Sequence, residues 1–246
     1  MTTFILIHGS WHNGEAWHKV ERILLESGAI VYAPTLSGME SKQNPGGPEV
    51  GLNRHIHDIV QLIQDHQLTD VVLVGHSYSG LIITSVADLL PHNVSRLVYL
   101  DAFIPENQQS LFDILGAESE ANMRAGLVNA QGQSKAEGAD KVWLLPPGDA
   151  EFYLGETAAP EDVAWLRERL VYKPVETFAE KVILQYEATV RAIPSFYIQC
   201  TEFPYLAWVA DKAKALGWPV HQVTAGHDAM LVAPEQVAKL LLEIGE

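Results

Sequence analysis

Residues 71–80 read VVLVGHSYSG and lead straight into the apolar stretch at 81–90. Four consecutive apolar residues, Val71 to Val74, fit a strand buried on both faces, as in a parallel sheet. The 81–90 stretch is apolar nearly all round, the pattern of a centrally packed helix. Only a few residues are left for the turn between them. This strand–turn–helix context is that of a nucleophile elbow, a sharp, strained turn that projects the Ser77 hydroxyl above a sheet edge. The residues two before and two after the serine must be small, because strand and helix pass very close there. Gly75 meets the first condition, and Ser79, in place of the usual Gly, is small enough for the second. The helix N-terminus under Ser77 sets N–H groups and partial positive charge beside a developing oxyanion. The plainer reading makes Ser77 a helix cap. Short Gly-x-Ser motifs arise by chance, and it is the strand before and the helix after that favour the elbow.

Working outward, similar short runs recur at 4–7, 30–33, 97–100, 196–198 and 220–223. Helical spacing lies between them: Trp17, Val20 and Leu24 share a face, as do Leu52, Ile56, Ile59 and Ile63. Val237, Leu240, Leu241 and Ile244 form a stripe after Pro234, which sits well at a helix start. The alternation predicts a mostly parallel sheet of about six strands with helices on both faces. The rhythm breaks between about Pro105 and Arg191, too long an interval for a loop in a compact domain. A helical cap at 105–189, inserted between core segments 1–104 and 190–246, is expected. A disordered insert is the alternative, and Trp143, Phe152, Tyr153, Trp165, Phe178 and Tyr186 speak against it.

The 246 residues suit one domain of this class. An apolar fraction of 48% supports a large core, and 19% charged residues is too few for a disordered chain. A net charge of −15 argues against nucleic acid and anionic membrane surfaces as partners. It also mildly disfavours an anionic substrate. Cys200 stands alone, so no internal disulfide forms, and a reducing compartment is the simple expectation. The N-terminal MTTFILIHGS has an apolar run of four without a basic flank or cleavage site, unlike a signal peptide or membrane span. A cytosolic location is expected.

The loop after the first run, from Ile7 to Gly14, reads IHGSWHNG. In an elbow fold this loop supplies a second oxyanion N–H, so Ser10 and Tyr78 are the expected backbone donors. Trp11 is a candidate pocket wall, with Phe103 and Trp143. His12 reads as either pocket wall or exposed turn, and His8 as support for the turn. As a metal pair, two residues apart with no third ligand nearby, they make a weak site. The base must be a histidine after the last strand, and His227 in VTAGHDAM qualifies. His55, His57 and His66 are expected on a helix facing solvent, His92 in a surface turn and His221 on a strand. Asp228 adjoins the base, and adjacent side chains generally point apart, so a turn or capping role is expected for it. The acid is either Asp101, in RLVYLDAFIPE, or Glu202, in FYIQCTEF. Both stand at the C-terminal sheet edge, where α/β sites form, and a carboxylate there holds the imidazole tautomer. The alternatives are a turn acid for Asp101 and a solvated surface group for Glu202.

HGSWHNGEAWHKV, GHSYSG, LVYLDAFIPE, FYIQCTEF and TAGHDAML together resemble the methylesterase and hydroxynitrile lyase branch of the α/β-hydrolases. The closer likeness is to bacterial esterases and to plant methylesterases of the salicylate-binding kind. It covers both core halves, and the cap only loosely. The resemblance implies a Ser–His–acid triad, a small helical cap and hydrolysis of hydrophobic or aromatic carboxylic esters through an acyl-enzyme, with no cofactor. The implied partner is a small-molecule ester, and a homodimer is common for such folds. Two departures matter. Plant members carry the acid as an Asp after a Cys-Thr-Glu run, where this chain has Phe203. That favours Asp101, one strand earlier, over Glu202. The lyases carry a Thr where this chain has Gly9 and a Lys where it has Asp228, which disfavours lyase chemistry. An amidase, a lactonase, a C–C hydrolase and a non-catalytic small-ligand receptor are the rival readings, since fold alone does not fix function.

Overall fold

The computed structural model describes residues 1–43, 45–155 and 158–246. Six strands form one sheet: β1 (Thr3–Ile7), β2 (Ile30–Tyr32), β3 (Val71–His76), β4 (Val94–Leu100), β7 (Ser195–Cys200) and β8 (Val220–Val223). Their order is β2-β1-β3-β4-β7-β8, and every neighbouring pair is parallel. All six residues of β3 are buried, as are Phe4 to Ile7 of β1, which explains their unbroken apolar runs. The edge strands β2 and β8 are partly exposed and carry Tyr32, His221 and Gln222.

Helices α1 (His18–Glu26) and α12 (Pro234–Gly245) pack together, as do α2 (Leu52–Asp65) and α3 (Ser79–Leu89). Helix α10 (Ala207–Ala215) packs on β7, and the short α11 (Ala229–Val232) precedes α12. Among the described residues no helix is long and apolar enough to cross a membrane. The core face of α2 carries Leu52, Ile56, Ile59 and Ile63 as the spacing predicts, but also His55. His55 is fully buried, not solvent-facing: its Nε2–H donates to the Ser37 carbonyl at 2.9 Å and its Nδ1 accepts from the Tyr78 hydroxyl at 3.1 Å. Spaced three from Leu52 and four from Ile59, it falls inside the apolar stripe.

Between β4 and β7 the described residues form six α-helices: α4 (Leu111–Leu115), α5 (Ala117–Ala125), α6 (Ala150–Leu154), α7 (Pro160–Arg169), α8 (Glu176–Ala179) and α9 (Glu187–Ala192). A small antiparallel ladder joins β5 (Leu144–Leu145) to β6 (Lys173–Pro174). This segment is tied to the core at named points. The buried Asp88 carboxylate accepts from the N–H groups of Gln185 and Tyr186 at 2.8 and 2.6 Å. Trp11 Nε1 donates to the Leu145 carbonyl at 3.1 Å, and Val171 N–H donates back to the Trp11 carbonyl at 2.8 Å. The Trp11 bonds hold the segment over the C-terminal edge of the sheet, the edge where Ser77 stands, and the Asp88 bonds fasten its return near the end of α3, ahead of β7.

Candidate active site

Ser77 lies between β3 and α3 with φ of +56°, a left-handed conformation that costs a non-glycine residue about 1–3 kcal/mol. Trp11 (φ +63°) and Asp101 (φ +42°) share that conformation, so a strained residue follows each of β1, β3 and β4, directly for Ser77 and Asp101 and within the next loop for Trp11. The crowding that demands Gly75 is measurable: a Cβ there would lie 2.7 Å from the Ser79 carbonyl oxygen. Ser79 is more than small. Its hydroxyl donates a short hydrogen bond to the His8 carbonyl and joins the elbow to the end of β1. Gly9 has the same need of space, because a Cβ would lie 2.7 Å from His76 Nδ1 and 3.0 Å from Ser77 Cβ. A larger residue at position 9 would push against the elbow.

The loop Gly226–Asp228 after β8 presents His227, only 5% exposed, to the same place. Its Nδ1–H donates to Asp101 Oδ2 at 2.7 Å, and Asp101 is fully buried at the end of β4. Burial pushes the Asp101 carboxyl above the ordinary 3.8, while the hydrogen bond from His227 pulls the other way. Cys200 N–H adds a longer bond to Oδ1 at 3.3 Å. Phe203 stacks on the His227 ring at 4.4 Å. With Nδ1 committed to Asp101, Nε2 is the nitrogen left to accept a proton. Glu202 is exposed on the loop after β7, whereas Asp101 holds the imidazole.

Ser77, Ser10 and His227 open onto one cavity of about 290 Å³. Its walls are aromatic and aliphatic: Trp11, Phe103 and Phe203 from the core, and Phe152, Tyr153 and Phe178 from the inserted segment. Among the described residues, the N–H groups of Ser10 and Tyr78 enter no hydrogen bond with protein. Two of the pocket expectations need correction. Trp143 does not line this cavity; its Nε1 donates to the Gly46 carbonyl at 2.8 Å and fastens the inserted segment to a core loop. His12 is neither pocket wall nor exposed turn. It is buried, with Nε2 2.7 Å from Asp228 Oδ2. Asp228 stands in the turn at the head of α11 as expected, but its side chain makes no cap hydrogen bond to that helix.

His8 supports the turn. Its Nδ1–H donates to the Gly9 carbonyl at 2.9 Å and its Nε2 accepts from Leu36 N–H at 3.1 Å, and burial holds its pKa down to about 3. Lys173, absent from the sequence reading, is fully buried with Nζ 3.5 Å above the Tyr78 ring. Burial lowers its pKa well below 10.5. Its place in β6 carries no motif that announces it.

The alpha/beta hydrolase family model matches residues 4–240. The chain belongs to the alpha/beta hydrolase family. Among relatives of this hydrolase, a carbendazim hydrolyzing esterase of Nocardioides sp. (strain SG-4G) is 32% identical over the whole length of both chains. Salicylic acid-binding protein 2 of Nicotiana tabacum is 25% identical, over 98% of this chain and 96% of that protein. Among solved structures, an extracellular alpha/beta-hydrolase from a Paenibacillus species superposes with a TM-score of 0.83 at 24% identity, covering both chains fully. An Arabidopsis methylesterase superposes at 0.78 with 18% identity, over 99% of this hydrolase and 98% of that chain.

Proposed function

We propose that this hydrolase cleaves neutral, hydrophobic or aromatic carboxylic esters by two-step acyl transfer, with Ser77 as nucleophile, His227 as base and Asp101 as the triad acid. The observation that carries the reading is the shared cavity: Ser77 on its strained elbow faces the same apolar space as His227, whose Nδ1–H is engaged by Asp101. Nε2 of His227 takes the Ser77 proton as Oγ attacks the ester carbonyl. The negative charge that develops on the carbonyl oxygen meets the unengaged N–H groups of Ser10 and Tyr78. His227 then protonates the leaving alcohol. Water, activated by the same imidazole, attacks the acyl-enzyme carbonyl and releases the acid and free Ser77.

Residues 105–189 act as a cap in this reading, since α4, α6 and α8 supply Leu111, Tyr153 and Phe178 to the cavity wall. Among the described residues no lysine or arginine lines that wall, which matches a neutral substrate better than a carboxylate-bearing one. The likeness to the carbendazim hydrolyzing esterase makes carbendazim one compound to try, beside methyl and aryl esters. Gly9 and Asp228 occupy the positions where the lyases of the related branch have Thr and Lys, so cyanohydrin cleavage is not expected. The test is a panel of esters, amides and lactones of varied acyl and alcohol size, run on the wild type and on Ser77→Ala. Ester turnover lost in the variant is the expected result. Turnover undiminished by Ser77→Ala would overturn the assignment, and ligand binding without turnover in the wild type would make the molecule a receptor.

A further inference from the structure

Behind the triad lies a second buried pair that joins two loops far apart in sequence. His12 belongs to the loop after β1, and Asp228 follows the base after β8. Both ring nitrogens of His12 face acceptors: Nδ1 stands 2.6 Å from the Ser10 carbonyl and Nε2 2.7 Å from Asp228 Oδ2. A carbonyl and a carboxylate only accept, so an imidazolium with both nitrogens protonated satisfies the site. His12 is 3% exposed and Asp228 not at all. Asp228 Oδ1 also stands 3.7 Å from His76 Nε2, and that Nε2–H donates to the His227 carbonyl at 3.1 Å. Asp228 N–H donates to the Tyr153 carbonyl, tying the same loop to α6.

We propose that His12 is a positioning residue for the hydrolytic site: as an imidazolium clamped between the Ser10 carbonyl and Asp228, it locks the oxyanion loop to the loop that carries the base. The proposal rests on the reading of Ser77, His227 and Ser10 given above. Ser10 and Trp11 form a turn that a neighbouring positive φ at Trp11 strains, and strained turns persist only where their surroundings hold them. His12 supplies that hold from one side and Asp228 relays it to His227. The pair's charges support the geometry: the Asp228 carboxylate raises His12 against its burial, and Asp228 is held down to about 2 despite complete burial. Other titratable groups face the pair. His8 and Lys173 stand toward His12, His76 and His227 toward Asp228, and Asp101 and Cys200 lie farther on. The Tyr153 ring lies 5.6 Å from that of His12.

The test combines kinetics with a readout that needs no activity. kcat, KM and the pH dependence of kcat/KM are measured on one ester for the wild type, His12→Gln, Asp228→Asn and the double variant, with thermal melts beside them. Nitrogen-15 NMR of the folded wild type reports the protonation of His12. The proposal expects both His12 nitrogens protonated at pH 7.5. It expects kcat of His12→Gln to fall on the order of 10²-fold with KM little changed, the scale of a small misplacement of catalytic groups. His12→Gln leaves the Asp228 carboxylate uncompensated and favours a proton on the base, so the acid limb moves to higher pH. Asp228→Asn removes the nearer negative charge and moves that limb to lower pH. The double variant, an amide pair without buried charge, recovers about tenfold of the lost kcat. A neutral His12 at pH 7.5, an unchanged kcat in His12→Gln, or limbs that shift the same way would each overturn it. Ser77→Ala that keeps turnover would instead defeat the assignment of the nucleophile, and the NMR result would still decide His12.

Discussion

The smallest unit of this site is the contact between His227 and Asp101, and its test is a single atom exchange. Asp101→Asn keeps the side-chain shape but lets the imidazole adopt the wrong tautomer, a change that costs on the order of 10⁴-fold in kcat in the best-studied triad. Glu202→Gln should alter kcat less than about threefold, because Glu202 is exposed and it is Asp101 that lies 2.7 Å from the ring. Measuring both on one ester, with melts to exclude unfolding, decides the acid; a crippled Glu202→Gln beside a near-normal Asp101→Asn would reverse the assignment. Residue-level legibility was uneven for physical reasons. Ser77 and His227, the proposed nucleophile and base, were the easier choices because each must sit at one topological position. The two carboxylates both end strands at the same sheet edge, and only the three-dimensional reach of the side chains separates them. His12 and Asp228 are 216 residues apart in sequence, and nothing local to either announces the pair.

At the scale of elements, the elbow is a contact between β3 and α3 that leaves no room at Gly75. Gly75→Ala puts a Cβ against the Ser79 carbonyl, so the strand or the helix must shift. A cost of about 1–3 kcal/mol in stability is expected, and a matching loss of kcat as Ser77 moves. Thermal melts and steady-state kinetics check this; a variant with wild-type values in both would show that the turn is looser than its geometry implies. The strands were legible because residues buried on both faces must be apolar, and all six runs became strands of one parallel sheet. The helices were legible by spacing, and His55 shows where residue type misled. Polar character suggested solvent, while its position in the stripe of α2 placed it against Tyr78. The inserted segment was legible as a structured interval but not in its contacts. Trp143 is an aromatic in the right stretch that turns to the Gly46 carbonyl instead of the cavity.

Across the whole molecule, the buried histidines set how the fold meets acid. Burial holds His8 down to about 3, and His55 and His76 well below 6.5. In the unfolded chain these imidazoles protonate near 6.5, so below that pH the unfolded state binds more protons than the folded one. Stability therefore falls as pH drops from about 6.5 toward 3, by up to about 1.4 kcal/mol per pH unit for each histidine. His12, raised by Asp228, contributes stability already complete below pH 6.5 and lost only as pH rises through its folded value. Melts between pH 7.5 and 5 should show a steep fall in Tm, and His55→Gln should flatten that slope by about a third; a Tm indifferent to pH over this range would contradict neutral burial of the three. The central claim concerns one serine in the entire chain. Incubation with a p-nitrophenyl alkylphosphonate, followed by intact-mass and peptide mass spectrometry, tests it most directly. The account predicts one phosphonyl group per chain, located on Ser77, absent in Ser77→Ala and formed far more slowly in Asp101→Asn. Ester turnover that proceeds while Ser77 stays unlabelled, or a label on another residue, would contradict it.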